Sequence, residues 1–247
     1  MTTQQRIKLS KDTLQILKNF SDINNTMSFS VGSNLKIVSP SESIAAVAVI
    51  PETFPVDFSI YEMNRFLNVL SLSNMADAEL VFGDDKKVIV QCKQTKVDYY
   101  FSSKRIVDAT SGKTPAYPSA DFVTILDADT LDGLEKAASV LGHKYLKIVA
   151  KDGKGTLIAT SPDIDTSNDY VIELADVFAH PLIQGENDRQ IPDVNNKIPA
   201  PDGEYLVKFE NIRNIPGSYQ LTVANKQMAG FKHLERSVHY FVGLESL

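Results

Sequence analysis

Two stretches of this 247-residue chain echo each other, and that repetition limits the fold more than any other feature. Leu9-Ser-Lys-Asp12-Thr13-Leu14-Gln-Ile-Leu17 returns 117 residues later as Leu126-Asp-Ala-Asp129-Thr130-Leu131-Asp-Gly-Leu134. Tyr61-Glu62-Met-Asn-Arg65 returns as Phe209-Glu210-Asn-Ile-Arg213 after 148 residues, and Val97-Asp-Tyr99-Tyr100-Phe101 as Val238-His-Tyr240-Phe241-Val242 after 141. Each match is short, but the three keep their order, which a duplication explains. The offsets grow after the first pair, so the second half should hold an insertion of roughly 25–30 residues. Gln184–Gly203 supplies most of it: polar, carrying Pro192, Pro199 and Pro201, without periodicity, it reads as a surface loop.

Each half carries helical and strand signals. Ser10 and Asp127 stand as N-caps before runs with apolar residues at helical spacing. Asn34–Ser39, Ser43–Ile50, Val56–Ser59, Glu79–Phe82 and Lys87–Cys92 read as strands, with Gly83-Asp84-Asp85 as a hairpin turn. Tyr145–Ala150 and Thr156–Thr160 flank the turn Lys151–Gly155, and Ser218–Ala224 and Val238–Glu245 complete the second half. The expectation is an α+β protein of two similar domains, each with two short helices on antiparallel sheet. The boundaries fall at 1–103 and 121–247, with 104–120 as a connector marked by Ser111-Gly112, Pro115 and Pro118.

At 100° per residue the Lys11–Ile23 helix turns Leu14, Ile16, Leu17, Phe20 and Ile23 to one side and Lys11, Gln15, Lys18 and Asp22 to the other. Its second-half counterpart turns Leu131, Leu134, Ala138 and Leu141 inward and Lys136 outward. Tyr61–Leu70 buries Met63, Phe66, Leu67 and Leu70 and exposes Asn64, Arg65 and Asn68. Any one such face is ordinarily just a solvated surface. Here, however, Lys11, Lys18, Arg65, Lys136 and Arg213 all sit on the duplicated helices, while carboxylates gather in loops such as Asp84-Asp85 and Asp163-Ile-Asp165. His143 and Lys144 follow the second-half helix and extend the same surface. A basic helical face on a chain of net charge −6 suits loose tracking of a phosphate backbone without base readout.

Other chemistries find little footing. Gly112-Lys113-Thr114 resembles the end of a P-loop, but Val107 stands where its first glycine belongs and Pro115 follows at once. His143, His180, His233 and His239 have no metal-ligand spacing, and Asp163/Asp165 and Asp127/Asp129 lack the glycine and distal glutamate of a calcium loop. Gly153-Lys154-Gly155 is a turn rather than a dinucleotide loop, and no Gly-x-Ser-x-Gly elbow occurs. Cys92, the sole cysteine, lies in strand-like surroundings and fits a buried, inert thiol in a reducing compartment. No apolar leader and no uncharged stretch near ~18 residues suggests export or a membrane span. No enzyme activity, metal or cofactor is therefore expected.

The run Lys8-Leu-Ser-Lys-Asp-Thr-Leu-Gln-Ile-Leu-Lys-Asn-Phe20 closely resembles the opening of the sliding clamps of T-even bacteriophages. Pro55–Leu72 resembles the same family, and His239-Tyr-Phe-Val-Gly-Leu-Glu245 is similar to its final strand. The resemblance implies a homotrimer of two-domain subunits closed head to tail into a ring, helices lining the hole and sheets forming the outer wall. It implies that Lys11, Lys18, Arg65, Lys136, His143, Lys144 and Arg213 face double-stranded DNA held topologically and without sequence preference. A DNA polymerase would dock a short peptide in an apolar pocket near the connector, for which Ile106, Val107, Tyr117 and Pro118 are the candidates. An ATP-dependent clamp loader, late-transcription factors and the cytoplasm of an infected bacterial host complete the implied setting. Glu135 in place of the first half's Lys18 departs from equal DNA contact by the two domains. A β-rich virion or tail subunit is the alternative, since duplication and trimerisation suit it too, although it leaves the basic helices unexplained.

Overall fold

The computed structural model describes residues 4–103, 115–164, 167–174, 177–185, 190–213, 215–224 and 227–246. The chain divides into two compact units, Met1–Thr114 and Pro115–Leu247. Both are α+β, and the strand pairings within each unit are antiparallel.

In the first unit β1 (Gln5–Ile7) precedes α1 (Lys11–Ile23). β2 (Met27–Phe29), β3 (Gly32–Val38), β4 (Ile44–Phe54) and β5 (Phe58–Ile60) follow, then α2 (Met63–Leu70), a 3-10 turn at Ser73–Met75, and β6 (Glu79–Phe82), β7 (Lys87–Cys92) and β8 (Thr95–Tyr100). β1-β6-β7-β8 form a four-stranded sheet, while β3 pairs with β4 and β2 with β5. Asp84 Oδ1 accepts from the amides of Lys86 and Lys87, both at 2.9 Å, and shapes the turn between β6 and β7. Phe29, Phe54, Phe58 and Phe82 interlock with ring centroids 4.3–6.4 Å apart and fill the core. The Cys92 thiol is buried and free.

The second unit repeats this order. β9 (Ala120–Leu126) leads into α3 (Ala128–Leu141), then β10 (Tyr145–Lys151), β11 (Lys154–Thr160) and β12 (Tyr170–Leu174). β13 (Phe178–His180), β14 (Leu182–Gln184), β15 (Gln190–Pro192) and β16 (Ile198–Pro199) come next. β17 (Gly203–Lys208), a 3-10 turn at Phe209–Asn211, β18 (Tyr219–Ala224), β19 (Met228–His233) and β20 (Val238–Gly243) complete it. One sheet runs β12-β11-β10-β17, and β9-β18-β19-β20 match β1-β6-β7-β8 strand for strand, with β13 and β16 added beside β9. The three sequence echoes thus fall on the first helix, the segment after β5 or β17, and the last strand of each half.

Three expectations need correction. Phe209–Asn211 is a single 3-10 turn, not a second α-helix, so the described residues contain three α-helices. Pro216 falls where the helix would need Asn68's counterpart; its ring and missing N–H stop α-helical continuation. Leu141, expected inward, is 43% exposed at the last residue of α3, which Gly142 ends at φ 75°. The insertion is not structureless: β14 and β15 form a two-stranded ribbon, and β16 pairs with β13.

Candidate nucleic-acid interface

The first unit's helix face is fixed from its N-terminus. Ser10 Oγ accepts from the Thr13 amide at 3.2 Å, capping α1. Glu52, on β4, accepts from the Ser10 amide and the Thr13 hydroxyl, both at 2.5 Å, and clamps the helix start to the sheet. Burial works against the Glu52 charge, but the hydrogen bonds from Thr13 and Ser10 outweigh it and hold the carboxyl below its ordinary range. Ile16, Leu17 and Phe20 are buried beneath, so helical geometry leaves Lys11, Gln15 and Lys18 exposed. α2 is seated by Asn25, whose backbone and side-chain oxygens accept from the amides of Met63 and Asn64, each at 2.8 Å. Between the two helices lies a groove of about 420 Å³ lined by Lys11, Leu14, Gln15, Lys18, Asn64, Leu67, Asn68, Leu70 and Ser71. Leu67 and Leu70, expected in the core, are half-buried and form its floor. Its polar groups are lysines, amides and the Ser71 hydroxyl, with no carboxylate. Arg65 stands on α2 outside this groove, 74% exposed and paired with Glu62 at 2.9 Å.

The second unit builds the matching face with different charges. Asp127 Oδ1 accepts from the Thr130 amide at 2.7 Å, repeating the Ser10 cap, and that hydrogen bond lowers the Asp127 carboxyl pKa. Leu131, Leu134 and Ala138 are buried. A groove of about 470 Å³ runs between α3 and the Phe209 turn, lined by Glu135, Ala138, Ser139, His143, Lys144, Tyr145, Lys208, Phe209, Glu210 and Arg213. His143, Lys144 and Arg213 therefore come together, whereas Lys136 is exposed on α3 outside the groove. Both nitrogens of His143 are engaged, Nδ1 with Ser161 Oγ at 3.0 Å and Nε2 with the Asn168 carbonyl at 2.9 Å. Lys208 is held by Glu245 at 3.0 Å. Burial pushes the Glu135 carboxyl up to about 7, with Asp132 adding to the rise and Arg213 opposing it.

Lys208 and Glu210 escaped the sequence reading because nothing in their local pattern sets them apart from ordinary strand and turn residues. Asn64 and Asn68 were legible as exposed helix positions, though not as groove lining. Of the connector residues, Ile106 and Val107 lie outside the described residues. Tyr117 folds onto β19 and β20: its ring lies 5.4 Å from that of His239 and 5.5 Å from that of Phe241, and its hydroxyl meets His239 Nε2. Gly230 makes the room, since a Cβ there would sit 1.4 Å from the Tyr117 oxygen. Burial raises the Tyr117 pKa and holds the His239 imidazolium down to about 4, so both are neutral. Pro118 is half-buried beside it. Among the described residues no group of three or more His, Cys, Asp or Glu side chains could hold a metal, and no helix is long and apolar enough to cross a membrane.

A family model described as DNA polymerase processivity factor matches residues 10–107. The sliding clamp of Vibrio phage KVP40 is 25% identical over 98% of this chain and all of its own length, and that of Enterobacteria phage T4 is 27% identical over 97% of both chains. The family model and these relatives together support a sliding clamp of the T-even phage type. The Escherichia phage RB69 clamp is 30% identical over 60% of this chain and 64% of its own. Solved structures agree on the fold of the clamp subunit. The proliferating cellular nuclear antigen of Entamoeba histolytica superposes with TM-score 0.68 at 12% identity over 99% of both chains. That of A. fulgidus, solved with the C-terminal region of FEN-1 bound, gives 0.70 at 10% over 98% of both. A clamp of this family is by its meaning a non-catalytic accessory to a DNA polymerase.

Proposed function

We propose that this clamp subunit closes with two further copies into a ring around double-stranded DNA, and that the ring tethers a DNA polymerase. The observation that carries the reading is the first unit's groove: two exposed lysines and three side-chain amides, without a carboxylate, on a chain of net charge −6. Such a face attracts phosphates locally while the remaining surface discourages binding elsewhere. Lys136, Lys144 and Arg213, with His143 beside them, add the second unit's DNA-facing cations, and Arg65 the first unit's. Ring closure is supported by two sheet edges. β8 and β12 each end a four-stranded sheet and pair no further among the described residues, and they present exposed Tyr100 and exposed Tyr170 and Val171. Unprotected apolar edges of this kind are normally covered by another strand.

The polymerase's peptide would dock near Tyr117 and Pro118, taking the place of the Tyr117 ring or packing against it. Opening such a ring requires an ATP-driven loader, and late-transcription factors are further users of the loaded ring. Its work lies in the cytoplasm of an infected bacterium, and it catalyses nothing itself. The test is retention on nicked circular DNA after loading with ATP, before and after the circle is cut. Loss on linearisation is the expected result, because only a closed ring is held by topology. Equal retention on both forms would mean surface binding, and no retention with a competent loader would favour a structural virion subunit.

A further inference from the structure

We propose that the two units of the subunit divide the contact with DNA unequally: the α1 face of the first unit carries most of the phosphate contacts, while Asp132 and Glu135 weaken the grip of the α3 face of the second. This rests on the ring reading above.

The argument begins with the register of the two helices. Ser10 and Asp127 cap them by the same bond, to Thr13 and Thr130, so residues 117 apart occupy matching places. At those places Lys11 becomes Ala128, Gln15 becomes Asp132 and Lys18 becomes Glu135. The exposed side of the helix thus exchanges two lysines for two carboxylates, although exposed Asp22 also gives way to Ser139 and exposed Lys136 stands where α1 has buried Asn19. The grooves confirm that the exchange reaches the surface, since the first is lined by Lys11 and Lys18 and the second by Glu135 and Glu210. The second groove's cations are partly committed within their own unit, Lys208 to Glu245 and the His143 nitrogens to Ser161 and Asn168.

Distance decides why this matters. At physiological salt a charge is felt over about 8 Å, so a phosphate responds to the face it touches and not to the net charge of the ring. A phosphate at α1 meets Lys11, Lys18 and the donating amides of Gln15 and Asn68. One at α3 meets Asp132 and Glu135 alongside Lys136, with Lys144 and Arg213 past the end of the helix. Burial of Glu135 without full compensation by Arg213 leaves that carboxyl partly ionised near neutral pH, and a nearby phosphate has nothing to gain there. The duplex in the hole therefore leans harder on the three first units, and Lys136, Lys144 and Arg213 of the second units add the lesser share.

The experiment places a photo-crosslinking residue at Asp22 or at Ser139, matching exposed positions on α1 and α3, in clamps loaded onto nicked circular DNA. Adducts from position 22 should exceed those from position 139 roughly tenfold, the size expected when several unit charges differ within one screening length. Transplanting the first unit's residues, with Asp132→Gln and Glu135→Lys together, should bring the yield at 139 up to that at 22. Equal yields in the unmodified background, or no response to the transplant, on rings that are still lost when the circle is cut, would overturn this inference and leave the clamp reading standing. Protein never retained on the circle would overturn both.

Discussion

The two units share their interior and differ on one face. Leu17 and Leu134 are both fully buried at matching places on the first helices, the caps repeat bond for bond, and the sheets keep the same strand order. Outside, a two-turn α2 in one unit stands against a single 3-10 turn in the other, and two lysines stand against two carboxylates. The difference shows which positions specify the fold. Core leucines, caps and strand alternation cannot drift without losing burial or a hydrogen bond, whereas exposed helix positions change sign at almost no structural cost.

The strongest way to break that comparison is through the shared core. Leu17→Ala and Leu134→Ala should each cost roughly 2–5 kcal/mol, by similar amounts, in calorimetry of the intact protein. A tolerated change at one and unfolding at the other would end the equivalence. Next in size is the Tyr117 notch, where Gly230→Ala should cost roughly 1–3 kcal/mol and move the Tyr117 ring into solvent, seen as increased tyrosine exposure by ultraviolet difference spectroscopy. A silent Gly230→Ala would mean that the ring is not seated there. Removing the caps should cost about 1 kcal/mol each, by urea denaturation of Ser10→Ala and Asp127→Ala. Part of the Ser10 effect should fade as pH falls through the lowered Glu52 pKa, because the Ser10 side chain helps hold that carboxylate charged. The Asp127 effect should fade as pH falls through that carboxyl's lowered pKa, because only the charged form gives the extra stability.

The smallest effect separates the two faces. Glu135 titrates at about 7 in the fold against an ordinary 4.5, so between those values the folded state holds a proton that the unfolded chain has released. Stability contributed by the group is therefore greatest in acid and lost as pH rises through 7. Glu135→Gln should gain stability over the parent across that window, by under about 1 kcal/mol once solvent screening is allowed for. Lys18→Gln, at the matching place, should show no such slope between about pH 5 and pH 8 in thermal melts. Parallel curves for the two variants would remove Glu135 from its half-buried setting.

Much of this was legible before any coordinates. Apolar residues at helical spacing placed α1 and α3, and Glu79–Phe82 and Lys87–Cys92 coincide with β6 and β7, because buried strands and amphipathic helices write their periods directly into sequence. The exchange of Lys18 for Glu135 was visible too, since a duplication lets exposed positions be compared. What failed were features fixed by distant neighbours. The echo at Phe209 promised a helix that Pro216, seven residues on, cuts short. Leu67 and Leu70 have core spacing yet floor a groove, because no third layer covers α2 there. The seat of Tyr117 depends on a missing side chain at Gly230, 113 residues away, which no local pattern announces.

The inserted ribbon has a practical consequence. β13 and β16 pair at Phe178 with Pro199 and Ala179 with Ile198, so the excursion between them leaves and returns at one spot. Among the described residues β14 and β15 pair only with each other, and their Leu182, Ile183 and Ile191 side chains are exposed. With its ends pinned, doubling the length of the excursion adds only about 0.6 kcal/mol of closure entropy. The exposed turn at Val194–Asn195, between β15 and β16, is thus the natural place to splice a fluorophore tag or an affinity peptide, where foreign sequence can hang without either sheet having to register how long it is.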